Sequence, residues 1–362
     1  MKKLFDTIKR QILSKFKFET NASSTEEYIH GTRRKFPITY KILVLSVVLC
    51  SILLGMYWSN EPDTFQVVKL NSSVTPTRVG FITTSTVIEM VEILIEKPGG
   101  FISNDIMPPG IWLDNIKNWE YGVLIQIRDI SKAMRESFSR SQSQSMENPD
   151  LALAEPRFNV DHRSWFIPWP EREYKDGQSY LKDYLGNLQN DKDYTAQFFA
   201  RADNLSSWLG SVEKRLGSLS QRLAASVGQR RVNTDLSGDM SALNSIGAPS
   251  ELFVKTDWLK IDDVFYEARG TSWALLHLLK AAEVDFEEVL INKNATASLK
   301  QIIRELEMTQ QVVFSPIILN GRGFGLLANH SLIMASYISR AHSALFDLRD
   351  FILQSFTIDS NT

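Results

Sequence analysis

The apolar stretch ILVLSVVLCSILLGMYW, from Ile42 to Trp58, decides the architecture of this chain. It has no charged residue, and as a helix it would cover roughly 26 Å, close to the hydrocarbon core of a bilayer at about 30 Å. A buried core helix is the alternative. The flanks favour a membrane span, because Lys41 can extend toward the headgroups and Tyr57 and Trp58 are typical of membrane interfaces. We therefore predict a transmembrane helix over residues 42–58.

The charges on either side of this span predict its direction. Four basic residues lie just before it: Arg33, Arg34, Lys35 and Lys41. After it, Glu61 and Asp63 lie nearest, and basic residues are sparse. Because Lys and Arg are retained on the inner side, the N-terminus is predicted to be cytoplasmic and the C-terminal region exported. The residues after the span do not resemble a cleavage site, so we predict an uncleaved anchor.

The segment before the span is basic, whereas the rest of the chain is acidic. Residues 1–41 hold ten Lys and Arg against four Asp and Glu, a net charge of +6, which leaves −8 for the remainder of a chain at −2. This acidity argues against nucleic-acid binding by the exported part. Residues 1–18 form a basic amphipathic pattern, which is typical of a helix on a lipid surface; docking on a cytoplasmic protein is the alternative.

Beyond the span, the sequence predicts a mainly α-helical domain. We place the cytoplasmic segment at 1–41, the span at 42–58, a linker at 59–83 and a periplasmic helical domain at 84–362. One heptad seam consists of Phe198, Ala202, Leu205, Leu209, Val212, Leu216, Leu219 and Leu223. A weaker seam runs from Ile261 to Phe286. Long helices joined by long loops favour an antiparallel bundle, and a coiled coil between chains is the alternative.

Other segments have less regular patterns. We predict further helices at about Thr84 to Pro98, Trp119 to Ser139, Ala295 to Val312 and Phe324 to Phe356. In the last helix the residues predicted to face inward are Leu326, His330, Ile333, Tyr337, Ala344, Leu348 and Phe351. Residues 139–156 are predicted to be a mobile loop, and residues 67–70 and 312–319 are candidate short strands. The segment 158–174, rich in aromatic residues and proline, cannot be helical throughout.

The sequence offers little chemistry. It has five histidines without an H-E-x-x-H spacing and one cysteine, so we predict neither a metal site nor a cofactor. Asp105, Asp114 and Glu120 are weak candidates for an acid–base or cation site, although such carboxylates more often cap helices and turns. His330 is a fourth candidate, against the alternative of a core histidine. Trp165, Phe166 and Trp169 form either an interaction surface or a cover for the end of the bundle.

Two blocks carry a resemblance to a known family. They are PGGFISNDIMPPGIWLDNIKNWEYGVLIQIRD, from Pro98 to Asp129, and LNGRGFGLLANHSLIMASYISRA, from Leu319 to Ala341. Both resemble a family of uncharacterised proteobacterial inner-membrane proteins, known only as a domain of unknown function. The resemblance covers nearly the whole chain, from before the span to about Phe356. It implies a Gram-negative envelope and a periplasmic domain, and it implies no activity.

These observations favour a bitopic inner-membrane protein whose periplasmic domain works by binding, as an envelope adaptor or accessory subunit. The expected partners are membrane lipid and either an envelope protein or a second copy of the chain, with no nucleic acid. One alternative is an envelope enzyme using residues 105–120 and His330, and another is a transmembrane sensor. An enzyme would bring the four candidate residues into one open pocket, whereas a binding protein would disperse them and expose an apolar patch.

Overall fold

The computed structural model describes residues 38–67, 78–141, 145–190, 196–232, 251–315, 317–321 and 326–358. This part of the chain is mainly helical, as predicted. Its helices are α1 (Ile38–Trp58), α2 (Phe81–Glu96), α3 (Asp114–Ala133), α4 (Pro149–Phe158), α5 (Pro170–Gln189), α6 (Ala202–Ala224), α7 (Ile261–Asp285), α8 (Glu287–Asn292), α9 (Thr296–Met308) and α10 (His330–Ile358). A π turn, Met134–Phe138, extends α3, and strands β1 (Gln229–Val232) and β2 (Glu251–Val254) pair antiparallel.

Helix α1 contains the predicted span and begins four residues before it, at Ile38. Among the described residues, it is the helix long and apolar enough to cross a membrane. Most of its apolar side chains are exposed, and Gly55 is its buried residue. The chain forms two units, Met1–Val48 and Leu49–Thr362, so the end of α1 belongs to the larger one.

Helices α3 and α7 form the centre of the larger unit, and they run parallel. At their N-terminal ends the Asn118 amide donates to the Asp263 carboxylate at 2.7 Å, and beyond their C-terminal ends Phe138 meets Phe286 with ring centroids 5.4 Å apart. The prediction of an antiparallel bundle is therefore wrong for this pair. The reason is that three helices, α4 to α6, lie between them in the chain. These helices bring the chain back to the end of the domain where α3 begins, so α7 starts there as well.

Close backbone approach holds this parallel pair together. A Cβ atom on Gly122 would clash with the backbone of α7 at Glu267 and Thr271, and one on Gly270 would clash with the carbonyl of Trp119. Because glycine has no side chain, the two helices approach more closely here than any other residue would allow. The indole rings of Trp119 and Trp273 pack beside this crossing with centroids 5.2 Å apart.

Two pairs of the surrounding helices pack antiparallel. Along α6 and α10, Gly210 lies against Arg349 and Gly217 against His342, so the two sequences run in opposite directions. The predicted heptad seam of α6 is buried from Leu205 to Leu223. The same arrangement occurs between α2 and α5, where Lys175 pairs with Glu96 and Gln178 bonds to Glu92.

Several predicted boundaries differ from the structure. The predicted loop at 139–156 includes the start of α4, which Asn148 caps by accepting from the amides of Asp150 and Leu151. Helix α5 was not predicted, and α10 begins at His330 rather than Phe324. Neither Val67 nor the described residues of 312–319 form a strand, and residues 68–70 lie outside the described part.

The inward face predicted for α10 is also wrong in register. Its buried residues are Ser331, Met334, Ala335, Ile338, Ala341, Leu345, Leu348 and Ile352. Of the predicted set, Leu326, Ile333 and Phe351 are exposed, and Leu348 alone is fully buried. The helix offers apolar residues in more than one direction, so spacing within one sequence did not identify the face that packs on α6.

Candidate functional site

Glu120, one of the predicted site residues, is sealed inside the domain. Its carboxylate lies 2.5 Å from the Lys97 ammonium and accepts from the amides of Ile102 at 2.8 Å and Ser103 at 2.7 Å. Burial raises the pKa of Glu120, while the charge and hydrogen bond of Lys97 act in the opposite direction. The side chain is fully inaccessible to solvent. Glu120 therefore fixes the turn after α2 onto α3 and is not available to a ligand.

Asp105 and Asp114 do come together, at one cavity of about 330 Å³. We call this the carboxylate cavity. It lies where the first turns of α3 and α7 meet the loop after α2 and the loop after α4, and its lining includes Asn104, Asp105, Asp114, Lys117, Asn118, Tyr121, His162, Arg163 and Asp263. Sequence reasoning missed Lys117, His162 and Asp263, because they come from three segments that only the fold brings together.

Partial burial shifts the pKa values of the ionisable groups that line the carboxylate cavity. Desolvation raises the pKa of Asp105 and of Asp263, and it lowers the pKa of Lys117. His162 stacks on Tyr121, and burial lowers its pKa to about 4, which leaves the imidazole neutral near pH 7. Lys117 donates to the backbone carbonyl of Asp105 at 2.9 Å. Carboxylates and a lysine with shifted pKa values are the groups that acid–base chemistry requires.

His330 lies outside this cavity. Its Nδ1 accepts from the amide of Leu319 at 3.2 Å, and its ring lines a separate, largely apolar cleft of about 310 Å³. We call this the apolar cleft; it is lined by Phe265, Arg269, Met308, Thr309, Gln311, Val312, Val313, Phe314, Ser315, His330, Ile333, Met334 and Tyr337. Val312, Phe314 and Ile333 on its rim are exposed. The four predicted residues therefore do not converge in one pocket.

A second apolar surface lies at the end of the domain that contacts α1. We call it the α1-proximal face; its residues are Ile106, Met107, Ile111, Trp112, Trp165, Phe166, Ile167, Trp169, Trp258 and Leu259, all at least half exposed. It includes all three residues of the predicted interaction surface. In the described part of the chain, the four tryptophans that are exposed all belong to this face, whereas Trp119, Trp208 and Trp273 are buried.

Contacts within the domain place these segments at one end. Gly55, in the last turn of α1, packs against Pro109 and Leu113, which flank the turn holding Ile111 and Trp112. Asn118 bonds to Asp263, so the turn with Trp258 and Leu259, directly before α7, lies at the same end. His162 stacks on Tyr121 of α3, which positions the loop carrying Trp165 to Trp169 beside them. Sequence reasoning missed the contributions of 106–112 and 258–259 because those short turns have no periodic pattern.

The described part of the chain between α1 and α2 makes polar and aromatic contacts with the helical domain. The Arg269 guanidinium lies 2.5 Å from the Glu61 carboxylate and also donates to the carbonyls of Thr309 and Gln311. The amide of Phe65 donates to Nε2 of His277 at 3.0 Å, and the two rings stack with centroids 3.9 Å apart. Residues 59–67, which we call the docked segment, therefore pack along α7.

These features define a class: a helical domain that continues directly from one long apolar helix, with two exposed apolar surfaces. The chain belongs to the bacterial family described as "Uncharacterized protein conserved in bacteria (DUF2333)", whose model matches residues 32–355. This match confirms the family resemblance seen in the sequence. No curated protein and no solved structure compared with the chain gave a match.

Proposed function

We propose that this protein is a single-pass inner-membrane protein whose helical domain lies in the periplasm and binds a partner there, as an envelope adaptor or accessory subunit. The observation that carries the proposal is the apolar cleft with its exposed rim of Val312, Phe314 and Ile333. Large exposed apolar side chains around a concave surface are typical of interaction sites. The dispersal of Glu120 and His330 away from the carboxylate cavity supports binding over catalysis.

The placement in the membrane rests on α1 and its flanks. Its apolar side chains are exposed, which is costly in water and favourable in lipid. Basic residues before it and acidic residues after it support a cytoplasmic N-terminus. The docked segment then joins this anchor to the domain through Arg269 and His277, without free chain over residues 59–67. A partner bound in the apolar cleft would consequently be held at a fixed height above the membrane.

The binding proposal is tested by photocrosslinking in cells. A photoreactive residue at Ile333 should give a discrete adduct, and the same residue at Met146, an exposed residue near α4, should give none. Adding Phe314→Asp to the Ile333 probe should abolish the adduct, because a buried charge would oppose partner binding. Equal adducts at both positions, or an adduct unaffected by Phe314→Asp, would contradict the proposal.

A second candidate function is an envelope enzyme, and the carboxylate cavity is the specific observation that favours it. Its carboxylates and lysine have shifted pKa values and share one opening. Genetic comparison separates the two candidates. If binding is the function, Phe314→Asp should reproduce the phenotype of a deletion strain, and Asp105→Asn combined with Asp263→Asn should behave as wild type. An enzyme predicts the reverse pattern.

A further inference from the structure

The α1-proximal face takes no part in the apolar cleft and has no function in the proposal above. Its exposed residues come from three segments that are remote in sequence, at residues 106–112, 165–169 and 258–259. The first two are loops between helices, and the third is the short turn between β2 and α7. Loops usually carry polar residues, because they face water. Three separate turns that each present a tryptophan in the same region indicate a surface with a common purpose.

We infer that the α1-proximal face rests in the headgroup layer of the membrane that α1 crosses, with lipid as its partner. This inference depends on the proposed membrane anchor. The last turn of α1 packs beside the face, with Gly55 against Pro109 and Leu113, which flank Ile111 and Trp112, and with Trp58 against Gly99. The turns of α1 directly before Gly55, from Leu49 to Leu54, belong to the same unit as the face, so a bilayer around them would meet this end of the domain first.

The chemistry of the face suits the membrane interface better than the hydrocarbon core or a protein partner. Tryptophan has an apolar body and one N–H donor, and it concentrates at the depth of the lipid headgroups. Trp112, Trp165, Trp169 and Trp258 are each at least half exposed. Lys117 and Arg163 lie just behind the face in the carboxylate cavity, within a domain that is acidic in sum. The domain would thus contact the membrane at two places, through α1 and through this face.

This second contact would fix the orientation of the domain as well as its height. A single helix leaves a domain free to tilt and to rotate about its axis. The three turns contact lipid beside α1, and the docked segment prevents the domain from separating from its anchor. Partner binding in the apolar cleft would then occur in one orientation relative to the membrane plane.

The test measures the depth of spin labels on the full chain reconstituted in liposomes. Cys50, the only cysteine, is first replaced by serine, and single cysteines are introduced at Trp165 and at Trp258. Leu53→Cys on α1 is the lipid reference, and Met146→Cys is the aqueous reference. The quantity compared is the ratio of collisions with oxygen to collisions with a water-soluble nickel chelate. We expect this ratio to be several-fold higher for labels at Trp165 and Trp258 than for the label at Met146.

The outcomes separate this inference from the proposed anchor. Labels at Trp165 and Trp258 that behave like Met146, while Leu53 is in lipid, would overturn the inference and leave the anchor standing. A water-exposed Leu53 would overturn the anchor itself. Labels shielded from both reagents, with spin–spin broadening, would show that a second copy covers the face, and would also overturn the inference.

A measurement on the unlabelled chain guards against perturbation by the labels. Lipids brominated near the headgroup should quench the tryptophan fluorescence of the wild-type protein. Replacing Trp112, Trp165, Trp169 and Trp258 by Phe should remove most of that quenching. The same quenching in wild type and in this variant would contradict lipid contact by the face.

Discussion

At the residue scale, Glu120 was a candidate site residue in the sequence, and in the structure it has a structural role. The Glu120→Ala substitution should destabilise the domain by about 3–5 kcal/mol, because it removes the carboxylate that neutralises the buried Lys97 ammonium and leaves that ammonium with the Gly100 carbonyl as its hydrogen-bond acceptor. The change is measured by urea unfolding of the full chain in detergent, followed by circular dichroism. Glu136→Ala removes an exposed carboxylate at the end of the same helical run and should cost less than about 1 kcal/mol. Equal losses of stability in the two variants would contradict a structural role for the Glu120–Lys97 pair.

His277 predicts a pH dependence of stability. Burial lowers its pKa to about 4, and Nε2 must stay unprotonated to accept from the Phe65 amide. An unfolded histidine has a pKa of about 6.5, so the unfolded chain binds more protons between these values. The free energy of unfolding should therefore fall as pH decreases from about 6.5 to 4, by up to about 3 kcal/mol from this group.

The His277→Gln variant isolates that contribution. It should be less stable than wild type at pH 8, because the stacking on Phe65 is lost. The difference from wild type should narrow as the pH falls toward 4. Urea midpoints measured at several pH values provide the comparison. A constant difference across the range would show that His277 does not titrate in this way.

Sequence reasoning identified the types of residue at the sites but not their grouping. Asp105 and Asp114 lie close in sequence, and they do share a cavity. Asp263 joins them only through the pairing of α3 with α7, which depends on two glycines far apart in the chain. Glu120 appeared equivalent to Asp105 in sequence, because no local pattern shows that Lys97 would be buried against it.

At the element scale, the close approach of α3 and α7 yields a prediction with an internal control. Gly270→Ala should destabilise the domain by about 1–3 kcal/mol, since the methyl group would clash with the Trp119 carbonyl. Gly186→Ala in α5 has open space around it and should stabilise by up to about 1 kcal/mol, because alanine favours helices. Thermal unfolding of both variants tests the pairing. Stabilisation by both would indicate that α3 and α7 are not in contact.

The docked segment provides a second prediction at this scale. Glu61→Gln removes the charge that pairs with Arg269, and charge-assisted hydrogen bonds contribute about 1.5–3 kcal/mol. The amides of residues 61–67 should exchange with solvent about tenfold faster or more, measured by hydrogen exchange with mass spectrometry. Glu96→Gln, at an exposed pair with Lys175, should leave those rates unchanged. Unchanged exchange in Glu61→Gln would mean that the pair does not hold the segment.

Periodic elements were predictable, and irregular ones were not. The heptad seam of α6 is buried as predicted, because an apolar stripe of that length has one way to pack. Helix α4 was predicted to be loop, because its polar and proline-bearing sequence obscures a cap at Asn148. The register of α10 was wrong because the choice of buried face depends on α6 rather than on α10 itself.

At the scale of the whole molecule, the protein has a helical domain that follows one apolar helix and exposes two apolar surfaces. The sequence predicted the apolar helix and the mainly α-helical domain. It could not predict the α1-proximal face, because that surface exists only when the turns at 106–112, 165–169 and 258–259 meet. The apolar cleft likewise combines α7, α10 and the chain after α9.

The most direct test of the central claim is the sidedness of the domain in intact cells. In a Cys50→Ser background, Met146→Cys lies on the exposed surface of the domain and Ser24→Cys lies before the span. We predict that a membrane-impermeant maleimide labels Met146→Cys in intact spheroplasts and labels Ser24→Cys only after lysis. Labelling of Ser24→Cys in intact spheroplasts, with Met146→Cys protected until lysis, would contradict the account.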